Sequence, residues 1–218
     1  MIFYSINNSY ICNNINILGM NKILFFIIIL FIFSSCKVRE KSVVPALQEE
    51  TITQEDRIKS LNRKLISEIL YTGDTEIIQT LIKDGAEINT LINGNTPLGV
   101  AAGKDRIDVV NILLENGSNI NKVDDNEFTP LFIAISKNNY EMCKFLIEKG
   151  ANIEFADTNG NTALMNASTM GNLKIVKLII EKGANMSKKN NYGYTALTFA
   201  ENNGNTELIS YLKSLIKQ

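Results

Sequence analysis

The sequence TPLFIAISKNNYEMCKFLIEKGANI occupies residues 129–153, and its pattern recurs along the chain. A threonine followed two positions later by leucine appears four times at intervals of 33 residues, at Thr96, Thr129, Thr162 and Thr195. Glycines stand 21 residues after the first three threonines, at Gly117, Gly150 and Gly183. An alanine stands five residues after each of the four, at Ala101, Ala134, Ala167 and Ala200. A fixed period of this length predicts a stack of repeated structural units.

The glycines also indicate how many units there are. Counting 21 residues back from Gly85 places a degenerate first unit near residues 64–66, which lack the Thr-Pro-Leu sequence. The connection from Gly85 to Thr96 is one residue shorter than the later connections, and loops tolerate such deletions. We therefore predict five repeats, at about residues 58–89, 90–121, 122–154, 155–187 and 188–218.

Each unit has the pattern of two short helices. Threonine can cap a helix through its hydroxyl, and proline fits the first helical position, as at Pro97 and Pro130. Glycine at the far end permits a left-handed turn. Because helices of about nine residues are shorter than the roughly 12–15 residues needed for marginal stability alone, each hairpin must be covered by the next one. The sequence therefore predicts an all-α solenoid of helix-turn-helix repeats.

Taken together, these anchors resemble the ankyrin repeat over about residues 61–218. The resemblance implies a non-catalytic protein-protein interaction module that contacts its partner through hairpin tips and the concave face of the first helices. One departure concerns the histidine that ankyrin repeats carry after Thr-Pro-Leu, which hydrogen-bonds between neighbouring repeats. Gly99, Phe132, Met165 and Thr198 stand at that position, and we expect apolar contacts of Phe132 and Met165 to substitute for those bonds.

The resemblance also assigns candidate partner-binding residues, in the loops before each threonine and further along the first helices. Phe128, Met170, Tyr192 and Tyr194 are large apolar residues at positions that the fold leaves exposed, and such residues often anchor interfaces. The alternative is that some of these rings pack on their own hairpin. The full set is Ile92, Asn93, Asn95, Asp125, Asn126, Phe128, Thr158, Asn159, Asn161, Met170, Asn191, Tyr192 and Tyr194.

The two ends of the array carry polar residues where the internal repeats carry apolar ones. Ser67 and Glu68 stand in the first repeat, and Glu201 and Lys213 stand in the last. Terminal repeats of a solenoid need a polar outer face to remain soluble. We therefore predict three internal repeats and two capping repeats.

The chain before the repeats has a different character. Residues 22–36 read KILFFIIILFIFSSC, in which a lysine precedes an apolar run of 11 residues at 23–33. That run is shorter than the roughly 20 residues of a membrane-spanning helix and fits the apolar region of a signal peptide. Its end resembles the lipobox of bacterial lipoproteins, although Phe33 replaces the usual leucine. We therefore predict a signal peptide in residues 1–35, lipidation of Cys36 and a place in the bacterial cell envelope, facing the periplasm or the cell surface.

Several alternatives stay open for this segment. Met20 lies two residues before Lys22 and is the expected start of the signal peptide. An uncleaved signal anchor and a buried apolar segment are the other interpretations of residues 23–33. Residues 36–57 mix charged and polar residues without helical or alternating periodicity, so we predict a flexible tether that carries the lipid at its first residue.

The composition gives little support to catalysis. The 218 residues include no histidine, which is the commonest general acid/base and metal ligand. Three distant cysteines match no zinc or disulfide spacing, and Cys143 is expected to be buried. The formal net charge of −1 lacks the basic character of nucleic-acid binders. Asp124 and Asp125 are expected in a solvated hairpin tip, because their loop lacks the spacing of a calcium-binding EF-hand.

The sequence therefore predicts a protein partner and no cofactor, metal, nucleic acid or small-molecule substrate. One alternative is an enzyme that uses the repeats as a specificity arm, which would require catalytic sequence outside them. Another is a scaffold in the cytoplasm or on an uncleaved signal anchor, or an inhibitor or immunity-type protein.

Overall fold

The computed structural model describes residues 53–216, and this part of the chain contains ten α-helices and no β-strand. The predicted signal peptide, Cys36 and the tether as far as residue 52 lie outside the described residues. The helices are α1 (Gln54–Tyr71), α2 (Thr75–Lys83), α3 (Pro97–Gly103), α4 (Ile107–Glu115), α5 (Pro130–Ser136), α6 (Tyr140–Glu148), α7 (Ala163–Met170), α8 (Leu173–Glu181), α9 (Ala196–Asn203) and α10 (Thr206–Ile216). They form five hairpins, as the sequence predicted.

The four threonines begin the first helices of the second to fifth repeats, as expected. In each case the threonine is the N-cap, and its hydroxyl oxygen accepts a hydrogen bond from the amide three residues later. The distance is 3.0 Å from the Gly99 nitrogen to Thr96 Oγ1 and 3.3 Å from the Phe132 nitrogen to Thr129 Oγ1. This bond satisfies one of the free N–H groups at the start of a helix. The predicted caps are therefore confirmed.

The glycines that close the repeats adopt left-handed backbone conformations. The φ angles are 103° at Gly85, 87° at Gly117, 95° at Gly150 and 93° at Gly183. The residue after each glycine donates its N–H to a carbonyl five residues earlier, for example Ala151 to Leu146 at 2.9 Å. Side chains with a Cβ are strained in this region of φ, which explains why glycine recurs here.

The hairpins stack in two layers. The first helices α1, α3, α5, α7 and α9 contact one another in succession, and each also packs on the second helix of its own repeat. The recurring alanines Ala101, Ala134, Ala167 and Ala200 are fully buried where these helices meet. Phe132 and Met165 are also buried, as expected for residues that replace the missing histidines. A continuous apolar core therefore runs through the stack.

Polar side chains form a second connection between neighbouring repeats. The Asn62 side-chain oxygen accepts the Glu87 N–H at 2.8 Å, and the Asn89 side-chain oxygen accepts the Asn119 N–H at 2.7 Å. The same bond recurs from Asn152 to Asn121 and from Asn185 to Glu154, at 2.8 Å in both cases. The last three of these bonds lie in the loops that close the repeats and join the first four repeats in succession, whereas Asn62 lies in α1 and bonds within the first repeat. They do so without the histidine that most ankyrin repeats use.

The ends of the array differ in part from the sequence prediction. The first helix begins at Gln54, four residues before the expected repeat boundary at 58, and has 18 residues. The hydroxyl of Thr53 accepts the Asp56 N–H at 3.1 Å, which caps this longer helix. At the other end, the predicted capping residues Glu201 and Lys213 form an ion pair at 2.8 Å. Among the described residues, no helix is long and apolar enough to cross a bilayer.

Candidate protein-binding surface

Four loops connect the repeats, and we call them hairpin tips. They comprise residues 91–95, 124–128, 157–161 and 190–194, and each is numbered by the repeat that it opens, from the second tip to the fifth. In the last three tips, the side-chain oxygen of the first residue organises the loop. Asp124 Oδ1 accepts the N–H groups of Asn126 and Phe128, both at 2.9 Å.

Asp157 and Asn190 make the same pair of bonds one and two repeats further on. Asp157 Oδ1 accepts from Asn159 and Asn161 at 2.9 and 2.8 Å, and Asn190 Oδ1 accepts from Tyr192 and Tyr194 at 3.0 and 2.9 Å. Aspartate and asparagine commonly organise turns in this way. The three tips therefore hold their exposed residues on equivalent backbones.

The prediction that Asp124 and Asp125 lie in a solvated hairpin tip is confirmed for Asp125 but not for Asp124. Asp125 is exposed, but Asp124 is buried and its carboxylate serves the loop backbone. Within residues 53–216, no group of three or more His, Cys, Asp or Glu side chains is arranged to hold a metal ion. Asp124 thus has a structural role in this loop.

The tip of the second repeat is organised differently. Leu91 stands where the other tips have Asp or Asn, and the loop is closed by two backbone bonds between Ile92 and Asn95, at 2.9 and 3.1 Å. Ile92 is only 7% exposed, so little of its side chain is available to a partner, and its role in binding stays a prediction. Leu91 is 39% exposed and is the residue that sequence reasoning missed.

The four large apolar candidates are exposed, as expected. The exposed fraction is 40% for Phe128, 42% for Met170, 46% for Tyr194 and 67% for Tyr192. Their role in binding stays a prediction. Of the polar candidates, Asn161 is half-buried, and the others are exposed: Asn93, Asn95, Asp125, Asn126, Thr158, Asn159 and Asn191.

The aromatic rings also pack on the repeats that carry them. The ring of Phe128 stacks on that of Phe132, with 6.4 Å between centroids and 17° between planes. Tyr194 meets the edge of Phe199 at 6.1 Å, and Tyr192 lies 6.3 Å from Tyr194. Such packing fixes a ring in place and lowers the entropy that it loses when a partner binds. Of the candidate rings, Tyr192 has the most free surface.

Hydrogen bonds join some neighbouring tips and not others. Asp125 N donates to Gly94 O at 2.9 Å, which links the second and third tips. The fourth and fifth tips are joined by Asn191, whose backbone N donates to Asn159 O at 2.9 Å and whose Nδ2 donates to Thr158 O at 2.8 Å. No hydrogen bond joins the third tip to the fourth, although both lie within the described residues. The row of tips is therefore open at this point.

A groove of about 270 Å³ lies beside this opening, between the third and fourth repeats. Its apolar lining combines Phe128 and Phe132 of the third repeat with Met165 of the fourth and Phe199 of the fifth. The polar lining is Ser136, Asp157, Asn161, Asn166 and Thr169. We call this the 3–4 groove.

Comparison with known protein families agrees with the geometry. A model of ankyrin repeats, three copies long, matches residues 65–157 and again residues 153–217. The chain belongs to the ankyrin-repeat family. The matches cover the ankyrin repeats seen in the structure, from within α1 to the end of α10. Ankyrin repeats form protein-protein interaction modules and are generally not catalytic, so the repeat domain of this chain is such a module.

Cys143 is a buried residue of the ankyrin core. It lies in α6, is fully buried and is not part of a disulfide. Burial raises the pKa of its thiol to about 12. Because the thiolate is the nucleophile, this cysteine is inert at neutral pH and serves as a small core residue.

Proposed function

We propose that this protein is exported, held at a bacterial membrane by lipid on Cys36, and binds a partner protein through the hairpin tips and first helices of its ankyrin repeats. The interface comprises the exposed members of the predicted set, together with Leu91. Lys104, Lys137 and Asn203 extend this surface along the first helices, where all three are exposed.

The observation that carries this proposal is the placement of Tyr192. It is a large aromatic residue with two-thirds of its surface free. Its hydroxyl lies 3.3 Å from Asn159 Oδ1 in the neighbouring tip, which helps to orient the ring. Interfaces draw most of their binding energy from a few aromatic or arginine anchors of this kind.

The binding half of the proposal is tested by affinity capture from the native cells, with tagged full-length protein as the bait. Three baits are compared: wild type, Tyr192→Ser, and Lys144→Ala on the outer helix α6. We expect a protein that is captured by wild type and by the Lys144 variant and is depleted with Tyr192→Ser. Capture of the same protein in equal amounts by all three baits would place the interface elsewhere.

The anchoring half rests on the sequence of residues 22–36 and needs its own experiment. Lipidation requires the thiol of Cys36, so Cys36→Ser should release the protein from membranes or leave its precursor uncleaved. Cys143→Ser is the matched control, because Cys143 is buried in the repeats and has no part in export. A Cys36→Ser protein that is processed and retained like wild type would remove the lipid anchor from the proposal. The ankyrin module would then belong to a signal-anchored protein or a cytoplasmic scaffold.

A further inference from the structure

We infer that the 3–4 groove receives a segment of the partner protein in which an apolar side chain is flanked by lysine or arginine. This inference rests on the proposed protein-binding function and names the chemistry of the partner.

The size and lining of the groove favour a side chain as its occupant. Its volume of about 270 Å³ falls below the roughly 300–1,000 Å³ of sites for drug-sized ligands. Phe128 and Phe132 are held by their mutual stacking, and Phe132 is held further by the edge of Phe155 at 6.0 Å. An apolar side chain that enters this aromatic lining loses its contact with water and meets preformed walls.

The opening in the row of tips gives such a segment access to the groove. The third tip is hydrogen-bonded to the second, and the fourth is hydrogen-bonded to the fifth. No hydrogen bond joins the third tip to the fourth beside the groove. Phe128 stands at the end of the third tip and Asp157 at the start of the fourth. An extended chain can therefore lie between these two tips while one side chain enters the groove.

Charge selects the residues that flank the apolar side chain. Asp157 lines the groove, and Asp125 and Glu127 are exposed on the third tip, where the Asp125 carboxylate lies close to Gly94 of the second tip and Glu127 directly precedes Phe128. None of the three forms an ion pair within residues 53–216, and no lysine or arginine lines the groove. Cationic side chains of a partner would meet complementary charge here, whereas an acidic segment would meet like charge.

The neighbouring groove shows that this charge is local. A pocket of about 230 Å³ between the second and third repeats is lined by Lys104 and Lys137, with Gly99 and Gly103 as its small residues. Its one acidic lining residue, Asp124, bonds its loop backbone as Asp157 does and is outnumbered by the two lysines. The two grooves thus offer opposite charges to a bound chain, which distinguishes the 3–4 groove from the general shape of an ankyrin surface.

The test measures fluorescence anisotropy of labelled peptides with the full-length chain in a non-ionic detergent. Three nine-residue peptides are compared: a central leucine flanked by lysines, the same leucine flanked by glutamates, and a central glycine flanked by lysines. We expect binding by the first peptide, weakened by added salt, and at least about tenfold weaker binding by the other two.

Two variants then locate the binding site. Thr169→Arg places a bulky cation in the groove and should abolish binding of the lysine–leucine peptide. Thr80→Arg is its matched control, since both threonines are exposed and each donates its hydroxyl to the carbonyl four residues earlier, at 3.0 and 2.9 Å. The charge requirement is tested by Asp125→Asn with Glu127→Gln, which should weaken binding about fivefold. Glu148→Gln with Glu181→Gln removes two charges from the outer helices and should leave binding unchanged.

The outcomes separate this inference from the proposed function. Equal binding of the glutamate peptide, or full binding by Thr169→Arg, would overturn the inference and leave the capture experiment unaffected. A captured partner that is lost with Thr169→Arg but insensitive to the acidic variants would also overturn it, because the groove would then bind a partner of other chemistry. Preferential binding of a peptide made of residues 37–51 of this chain would overturn it in favour of an internal occupant.

Discussion

The third hairpin tip and the fourth share one backbone design and present different surfaces. Asp124 and Asp157 organise the two loops through the same pair of hydrogen bonds. At the fourth position, however, the third tip has Glu127 with φ at 63°, whereas the fourth has Gly160 with φ at 79°. The third tip carries three carboxylates and is not bonded to the fourth, which carries only that of Asp157 and is bonded to the fifth.

This difference separates framework residues from surface residues. In the third, fourth and fifth tips the first position is under structural constraint, because its side chain satisfies the loop backbone. The exposed positions vary in charge and shape, from Asp125 and Phe128 in the third tip to Tyr192 and Tyr194 in the fifth. Binding specificity in this protein is therefore expected at the exposed positions that follow the first.

The largest effect is expected from loss of a framework residue. Asp157→Ala removes the acceptor of two backbone N–H groups and of Asn161 Nδ2, which lies 3.1 Å from Asp157 Oδ2. Bonds to a charged acceptor contribute more than neutral ones, so we expect the free energy of unfolding to fall by about 2 kcal/mol. Urea unfolding followed by circular dichroism measures it. Thr158→Ala, at an exposed position whose side chain makes no hydrogen bond in the structure, is the control and should change stability by less than about 0.5 kcal/mol.

The next effect concerns the fourth position of the two tips, where φ is positive in both but only the fourth tip has a glycine. Gly160→Ala should lower the free energy of unfolding by about 1–2 kcal/mol, because a Cβ is strained at positive φ. That Cβ would also lie 3.0 Å from the Asn191 backbone nitrogen. The reverse change, Glu127→Gly, should raise stability by about 0.5 kcal/mol, because it relieves strain but adds freedom to the unfolded chain. Changes of the same sign in the two variants would show that the two tips are not equivalent.

A smaller effect is expected from the bond between tips. Asn191→Ala removes the Nδ2 bond to Thr158 O and should cost about 1 kcal/mol, the typical net value of one hydrogen bond. Asp125→Ala is the matched variant, because Asp125 holds the equivalent position two repeats earlier. The bond to Gly94 O comes from the backbone nitrogen of Asp125, so the variant retains it. We expect almost no loss of stability from Asp125→Ala in the same urea measurement. A loss as large as that of Asn191→Ala would mean that side chains bind the second and third tips together as well.

The stack was predictable from sequence because its determinants are local and periodic. A threonine cap, a buried alanine and a closing glycine each act within one hairpin, so their positions alone indicated five repeats. The long helix α1 was not predictable, because its first turn is polar and depends on a cap at Thr53 outside the period. The polar bonds between repeats were also missed. They pair residues 30 or 31 positions apart, such as Asn121 with Asn152, and asparagine has no spacing signature for this role.

The candidate surface was predictable only in part, for a related reason. The resemblance indicates which loop positions face outward, and Phe128, Tyr192 and Tyr194 are indeed exposed. Ile92 is an exception, because the shorter connection before Thr96 changes the loop so that Ile92 turns inward and Leu91 outward. The 3–4 groove depends on Phe199 from one repeat meeting residues of two others, which a single period does not reveal.

The central claim is that the tips, and not the outer helices, carry the binding energy. Titration calorimetry with the purified captured partner measures the free energy of binding for three proteins. They are wild type, Tyr192→Ser, and a double variant of the outer helices, Lys144→Ala with Lys174→Ala. Both lysines are exposed and make no ion pair within the described residues. We predict a loss of about 2 kcal/mol for Tyr192→Ser, with unchanged helicity, and a change below about 0.5 kcal/mol for the double variant. Equal losses, or a larger loss from the outer helices, would contradict the account.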